Sequence, residues 1–418
     1  MSSRAPSTPR PTGDPRPGIG HDWSASATLA GLVAVVVSYS GPVLVVLEAA
    51  RASGLSAELT SSWVWAISVG SGLTCVVMSL WTRQPVMVAW SIPGAALLIT
   101  SLGDYSFSDA VGAYIVTGVL GLALGVTGLF GRALHAVPKP ITAAVLAGVL
   151  FPFSIEVASA VVANPWVAGA LVLGYLLGRR WLPRYAVFAA LVLGTLAALV
   201  RGRVEPVVLE LALTEPVLIL PTFSWEAIAG ISVPLLIVTA AGQNAPGLAM
   251  MHSAGYDADD RLLLGASGVA SIAFAPFGSH ALNLAAVTAG IATSPESHPD
   301  PRRRYVAGVA CGLFYVLFGL FADTIVTAFS AIPPGMITAL AGVALLGALQ
   351  GSFADSMHRG EHQPAVVEAA LITLVVTVSG ISPHGIVSPF WGLLAGIAAY
   401  ALLRRPAPGR GPGGEPQR

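Results

Sequence analysis

Residues Phe274 to Ala286, FAPFGSHALNLAA, lie deep in an apolar region yet carry Pro276, Gly278, Ser279, His280 and Asn283. A lipid-facing helix is not punctuated in this way. Lipid cannot satisfy freed backbone N–H and C=O groups, so broken backbone at membrane depth survives only where protein packs around it or a cavity receives it. Interrupted segments of this kind mark the binding sites of carriers, where a half-helix aims its free N–H groups and positive dipole end at an anion. The sequence reads as an extended break over Ala275–Gly278 and a half-helix from Ser279 onward. His280 then stands one turn in, with Asn283 three residues later on the same face. The plainer alternative is a tight loop between two ordinary helices.

Hydrophobic residues make up 55% of the chain and charged residues 10%, which excludes an ordinary soluble domain and implies a polytopic protein embedded in a lipid bilayer. The net charge is zero, so there is no footprint for nucleic acid. The apolar stretches number fourteen: Thr28–Ala50, Ser61–Trp81, Val86–Ser101, Ser106–Phe130, Pro140–Phe153, Trp166–Leu177, Tyr185–Val200, Trp225–Met250, Leu262–Phe274, Gly278–Ala292, Tyr305–Phe329, Gly335–Phe353, Ala365–Ile381 and Ile386–Leu403. Several, including the third and tenth, fall short of the roughly 20 residues that span a bilayer. The expected fold is therefore an all-α membrane protein. The ends, 1–24 and 406–418, read as disordered cytoplasmic tails without a signal peptide.

Charge supports that count. With the N-terminus inside, only Arg51, Arg201 and Arg203 of the 21 basic residues face outward, as the inner excess of Lys and Arg requires. Both termini are then cytoplasmic. Seven spans per half force the second half to insert upside down, and the sequence echoes such a repeat. Ser40-Gly41-Pro42-Val43-Leu44 matches Asn244-Ala245-Pro246-Gly247-Leu248, and Pro138-x-x-Ile141-Thr142-Ala143 matches Pro334-x-x-Ile337-Thr338-Ala339. Span three should then mirror span ten. It does: Val86–Ser91 reads as a short extended run, and a half-helix follows with Ser91 near its cap and Pro93, Gly94 and Ala95 at its start.

Two half-helices entering from opposite sides would aim at one point, where an anionic group could receive donors from both. Gln243 and Asn244 add uncharged amides able to orient it. Tyr39, with Trp90, Phe274 and Phe277, could pack on an aromatic ring. His280 is the intramembrane ionisable group best suited to carry a proton, with Glu48 second; the bland reading of the histidine is a neutral, hydrogen-bonded residue shaping the pocket. No carboxylate falls clearly at the midplane, which suits an anionic substrate. Cys75 and Cys311 read as packing residues, and His358 and His362 as part of a solvated loop. No metal, cofactor or catalytic constellation is indicated, so an enzyme is not expected.

The stretches Gln243–Gly247 with Ala254-Gly255-Tyr256, Pro276-Phe277-Gly278 to Ala281–Ala286, and Arg303-Arg304-Tyr305 resemble the benzoate:proton symporter family, BenE. The resemblance covers residues 25 to 405. It implies kinship in fold with the nucleobase-ascorbate and sulphate carriers, a core domain (25–135 and 225–330), a gate domain (136–203 and 331–405) and an external linker (204–224). It further implies a homodimer through the gate, elevator-like motion, and symport of an aromatic carboxylate with a proton across a bacterial inner membrane. The nucleobase carriers typically place acids in spans eight and ten, where this chain has Gln243, Asn244, Ser279 and His280. That departure favours a carboxylate over a nucleobase. Another small anion, or uncoupled channel conduction, is the alternative.

Overall fold

The computed structural model describes residues 19–132, 137–203, 210–357 and 364–404; most of the two tails, the start of the linker and the His358–His362 loop lie outside them. The described chain is a mostly helical membrane protein. Its helices are α1 (Ala25–Ser40), α2 (Pro42–Ala52), α3 (Ala57–Thr82), α4 (Ile92–Ser101), α5 (Phe107–Thr127), α6 (Lys139–Ala163), α7 (Pro165–Trp181), α8 (Ala186–Val200) and α9 (Trp225–Ser253). There follow α10 (Asp260–Phe274), α11 (Ala286–Ala292), α12 (Tyr305–Leu320), α13 (Ala322–Ser330), α14 (Pro334–Met357), α15 (Pro364–Val378) and α16 (Ser388–Leu403). Two strands, β1 (Val88–Trp90) and β2 (Leu282–Leu284), precede α4 and α11 and pair antiparallel, with Ala89 opposite Asn283. Among the described residues, seven stretches are long and apolar enough to cross a membrane by length and composition.

Breaks in the helices sit where sequence chemistry puts them. Gly41 and Pro42 divide α1 from α2, because proline starts a helix well and continues one badly. Inside α9, Ile228–Ser232 and Ala240–Asn244 are π turns, the second holding both amides. By contrast Pro152 does not end α6, which runs ten residues past the expected Phe153 boundary to Ala163.

The tenth segment departs from expectation. Ala275–Phe277 is a single 3-10 turn rather than extended, Gly278 takes a left-handed φ of 102°, and the extended strand comes later, at Leu282–Leu284. The half-helix starts at Ala286, not Ser279. His280 therefore lies in the loop ahead of β2, and Asn283 on the strand, so they share no helix face. Pairing with β1 overrides the helical preference of the Ala- and Leu-rich run.

Helices gather in two packing groups. In one, α3 packs on α12 and α10, α12 on α1, and α5 on α10; in the other, α6 packs on α14, α15 and α16, and α7 on α8. Where α3 crosses α12, a Cβ on Gly72 or Gly312 would drive into the other's backbone, so the helices meet with only hydrogen between them. The groups touch where α2 meets α14 and where α4 and α9 meet α6.

Candidate functional site

The paired strands put broken backbone into the interior, and side chains complete what the pairing leaves open. Ser91 N–H donates to the Ala281 carbonyl at 3.1 Å, and Ala285 N–H to the Met87 carbonyl at 2.9 Å. On the outer edge of β1, the Cys75 thiol donates to Val88 O (3.2 Å) and accepts from Val88 N–H (3.1 Å). On the outer edge of β2, Ser271 Oγ accepts from Leu282 N–H at 2.9 Å, and its one O–H lies within reach of both the Ser267 carbonyl at 2.8 Å and the Leu282 carbonyl at 3.1 Å. The packing role expected of Cys75 is thus incomplete: its sulfur satisfies a strand. Asn244 Oδ1 accepts from Leu284 N–H at 3.0 Å, tying the α9 π turn to β2.

At the start of α4 the expected cap is present. Ser91 Oγ accepts from Gly94 N–H at 3.0 Å and meets the Thr239 hydroxyl of α9 at 2.7 Å. The Ser91 carbonyl accepts from Ala95 N–H within α4 and from His280 Nε2, both at 2.8 Å. The other ring nitrogen, Nδ1, lies 3.1 Å from the Trp63 indole nitrogen. An indole N–H only donates and a backbone carbonyl only accepts, so Nδ1 is bare and Nε2 carries the proton. Trp63 and His280 have no exposed surface.

Other candidates distribute around this centre. Pro93 is buried, and a Cβ on Gly242 would sit 3.2 Å from its ring and 3.4 Å from Leu146 of α6. Gly41, at the first break, faces Ala344 of α14 and Val187 of α8. The broken parts of α1–α2 and α9 therefore both look toward the second packing group. Gln243 is half-buried beside Gly242. Tyr39 stacks edge-on against Trp90, ring centroids 5.8 Å apart, and its hydroxyl bonds to Ser68. Ser279 Oγ, Asn283 Oδ1, Trp90 Nε1 and the Tyr114 hydroxyl are buried without a hydrogen-bond partner among the described residues.

Glu48 is not part of this cluster. Its buried carboxylate takes Arg51 Nε at 2.9 Å and an Arg51 terminal nitrogen at 2.6 Å, and the Thr338 hydroxyl of α14 at 3.0 Å. It bridges α2 and α14. Arg304, unmarked as a site residue in the sequence, is buried behind α11, where it donates to the Thr293 and His298 carbonyls at 2.7 Å and to Pro299 O at 3.4 Å. A cation at the carbonyl end of a helix opposes its dipole favourably. Its only sequence signal is its place beside Arg303 and Tyr305. Trp63, Ser271 and Thr239 carried none.

A small cavity opens between α5, α9 and α10, with Thr239, Asn244, Ser271 and Leu282 in its wall. Among the described residues no three His, Cys, Asp or Glu side chains gather into a metal site.

The profile of a family described as BenE, benzoate membrane transport protein, matches residues 21–402. A benzoate membrane transport protein from Acinetobacter baylyi is 38% identical over 92% of this chain and 97% of its own length. The inner membrane protein YdcO of Escherichia coli is 37% identical over 90% of this chain and 95% of its own. Among solved structures, the fold is similar to the transmembrane domain of the cyanobacterial bicarbonate transporter BicA, with a TM-score of 0.58 and 14% identity, covering 89% of this chain and 97% of that one. It is also similar to SLC26A9, with a TM-score of 0.60 and 14% identity, covering 90% of this chain and 64% of the other.

Proposed function

Because this chain belongs to the benzoate membrane transport protein family, we propose that it imports benzoate or a similar aromatic carboxylate across a bacterial inner membrane by proton symport. The observation that carries the reading is the antiparallel strand pair, from which α4 and α11 depart in opposite directions inside the protein. The reciprocal bonds Ser91 to Ala281 and Ala285 to Met87, and the matching edge partners Cys75 and Ser271, support a pseudo-twofold axis through Ala89 and Asn283. That axis is what seven-plus-seven inverted repeats would generate, with both termini cytoplasmic.

The first packing group is the core (25–135 and 225–330) and the second the gate (136–203 and 331–405), joined through the external 204–224 segment. The core slides against the gate as an elevator, and two gates join a homodimer. The carboxylate docks at Pro93, Gly94 and Ala95 at the start of α4, where Gly242 and the α6 wall also meet. Gln243 orients it, the aromatic face of Tyr39 and Trp90 borders the ring, and Ser279 and Asn283 supply buried polar atoms behind the strands. Asn244, Ser91 and Gly278 shape this place through backbone.

Benzoate's carboxyl should ionise near a glutamate's, about 4, so the anion arrives at neutral pH. Enclosure disfavours the charged form, and the proton is taken up on the substrate. Glu48, engaged by Arg51 and Thr338, serves as a tie between core and gate.

Equilibrium binding to purified protein tests the substrate class. Benzoate should bind, while uracil and sulfate at equal concentration should not displace it. Displacement by either one moves the assignment to a nucleobase or inorganic anion.

A further inference from the structure

We infer that His280 is a positioning residue, held as the neutral imidazole with its proton on Nε2, and that the coupling proton of the transport cycle does not ride on it. The inference rests on the transport reading above. Two neighbours fix the state of the ring. The Trp63 N–H approaches Nδ1 at 3.1 Å, and the Ser91 carbonyl approaches Nε2 at 2.8 Å. One tautomer satisfies both, with nothing left over. A second proton would have to enter at Nδ1, head-on to the indole N–H, where the ring has no exposed surface.

From α3 the ring meets Trp63, with centroids 5.6 Å apart; from α5 it meets the titratable Tyr114 at 6.4 Å. The junction of β1 and α4 presents the Ser91 carbonyl. No carboxylate or cation forms an ion pair with His280 among the described residues. A transferable proton would therefore have no ion-paired partner on His280 to pass to.

The ring instead seats the residue that begins α4. The carbonyl it holds also takes Ala95 N–H, and the hydroxyl of the same residue caps Gly94. Trp63 anchors the ring because the loop runs close against α3 there. A Cβ on Gly278 would lie 3.2 Å from Trp63 Cα, and its φ of 102° favours glycine. Trp63, His280 and Ser91 thus form one chain of contacts from α3 through the loop before β2 to α4, beside the Pro93–Ala95 docking place.

Glutamine is the discriminating substitution. Its amide offers one acceptor and one donor but does not titrate, so His280→Gln can keep both hydrogen bonds and cannot carry a proton. In proteoliposomes, His280→Gln should accumulate benzoate under a proton gradient within about twofold of wild type, with the same pH profile. His280→Leu should raise KM about tenfold or more, because two buried polar partners lose their mates. Trp63→Phe should shift KM the same way by less, and adding it to His280→Leu should change little further. A His280→Gln protein that binds benzoate normally yet cannot accumulate it would overturn the inference.

Should the glutamine variant fail to fold, 15N-histidine NMR of the wild-type protein in liposomes decides, with the His280 signal identified by its shift in Trp63→Phe. The neutral Nε2–H form should persist between about pH 5 and 8, and an imidazolium signal from His280 in that range would overturn the proposal. If wild-type protein neither binds nor moves benzoate, the transport reading fails, while the tautomer measurement still judges His280.

Discussion

The two arms that leave the strand pair, β1 with α4 and β2 with α11, share a geometry and differ in what holds them. Ser91 caps α4 from its own arm, and α4 continues for ten residues. At the equivalent place Ala285 offers no side-chain cap, and α11 has seven residues. The second arm is held from outside. Asn244 of α9 and Ser271 of α10 bind its strand, and Arg304 closes the carbonyl end of its helix. Backbone in a membrane must find partners somewhere. Each strand edge takes a partner from the preceding helix, but only the first arm caps its own helix, and the second adds Asn244 of α9 and Arg304.

This contrast can be broken by mutation. Arg304→Met removes a buried charged donor from three carbonyls and should cost about 3 kcal/mol, read as a fall in the detergent melting temperature. If it costs no more than the local cap, the second arm does not depend on its surroundings as described. Ser271→Ala strands the Leu282 N–H, removes the donor that the Leu282 and Ser267 carbonyls share, and should destabilise by about 2 kcal/mol. Its counterpart Cys75→Ala should cost roughly half that, since a thiol is the weaker partner; equal losses would erase the distinction between the edges. Ser91→Ala should stand level with Cys75→Ala, about 1 kcal/mol for a lost N-cap. The same melts measure all four, and their order matters more than any single value.

The sequence made the first arm legible and misplaced the second for a physical reason. Ser91 followed by Pro93 is local chemistry, and it specifies a helix start wherever it stands. Leu282 to Ala286 is rich in strong helix formers, and only the strand on the far side of the fold makes it extended. The Gly41-Pro42 and Asn244-Ala245-Pro246 stretches were legible as an internal echo, and of the two only Gly41-Pro42 divides a helix. His280 stood out correctly as a polar residue at depth. Its occupancy did not, because Trp63 sits in an ordinary apolar run of α3 and nothing near it in sequence announces an indole aimed at an imidazole. Thr338 likewise meets Glu48 only through packing of α2 on α14, whereas Arg51 lies three residues along the same helix.

Uptake of labelled benzoate into proteoliposomes under an inward proton gradient, with protein-free vesicles subtracted for diffusion of the neutral acid, separates symport from an uncoupled pathway. Symport gives protein-dependent accumulation above equilibrium that collapses on adding an uncoupler. Equilibration without accumulation would contradict symport and indicate an uncoupled pathway. Absence of protein-dependent uptake would remove benzoate as the substrate.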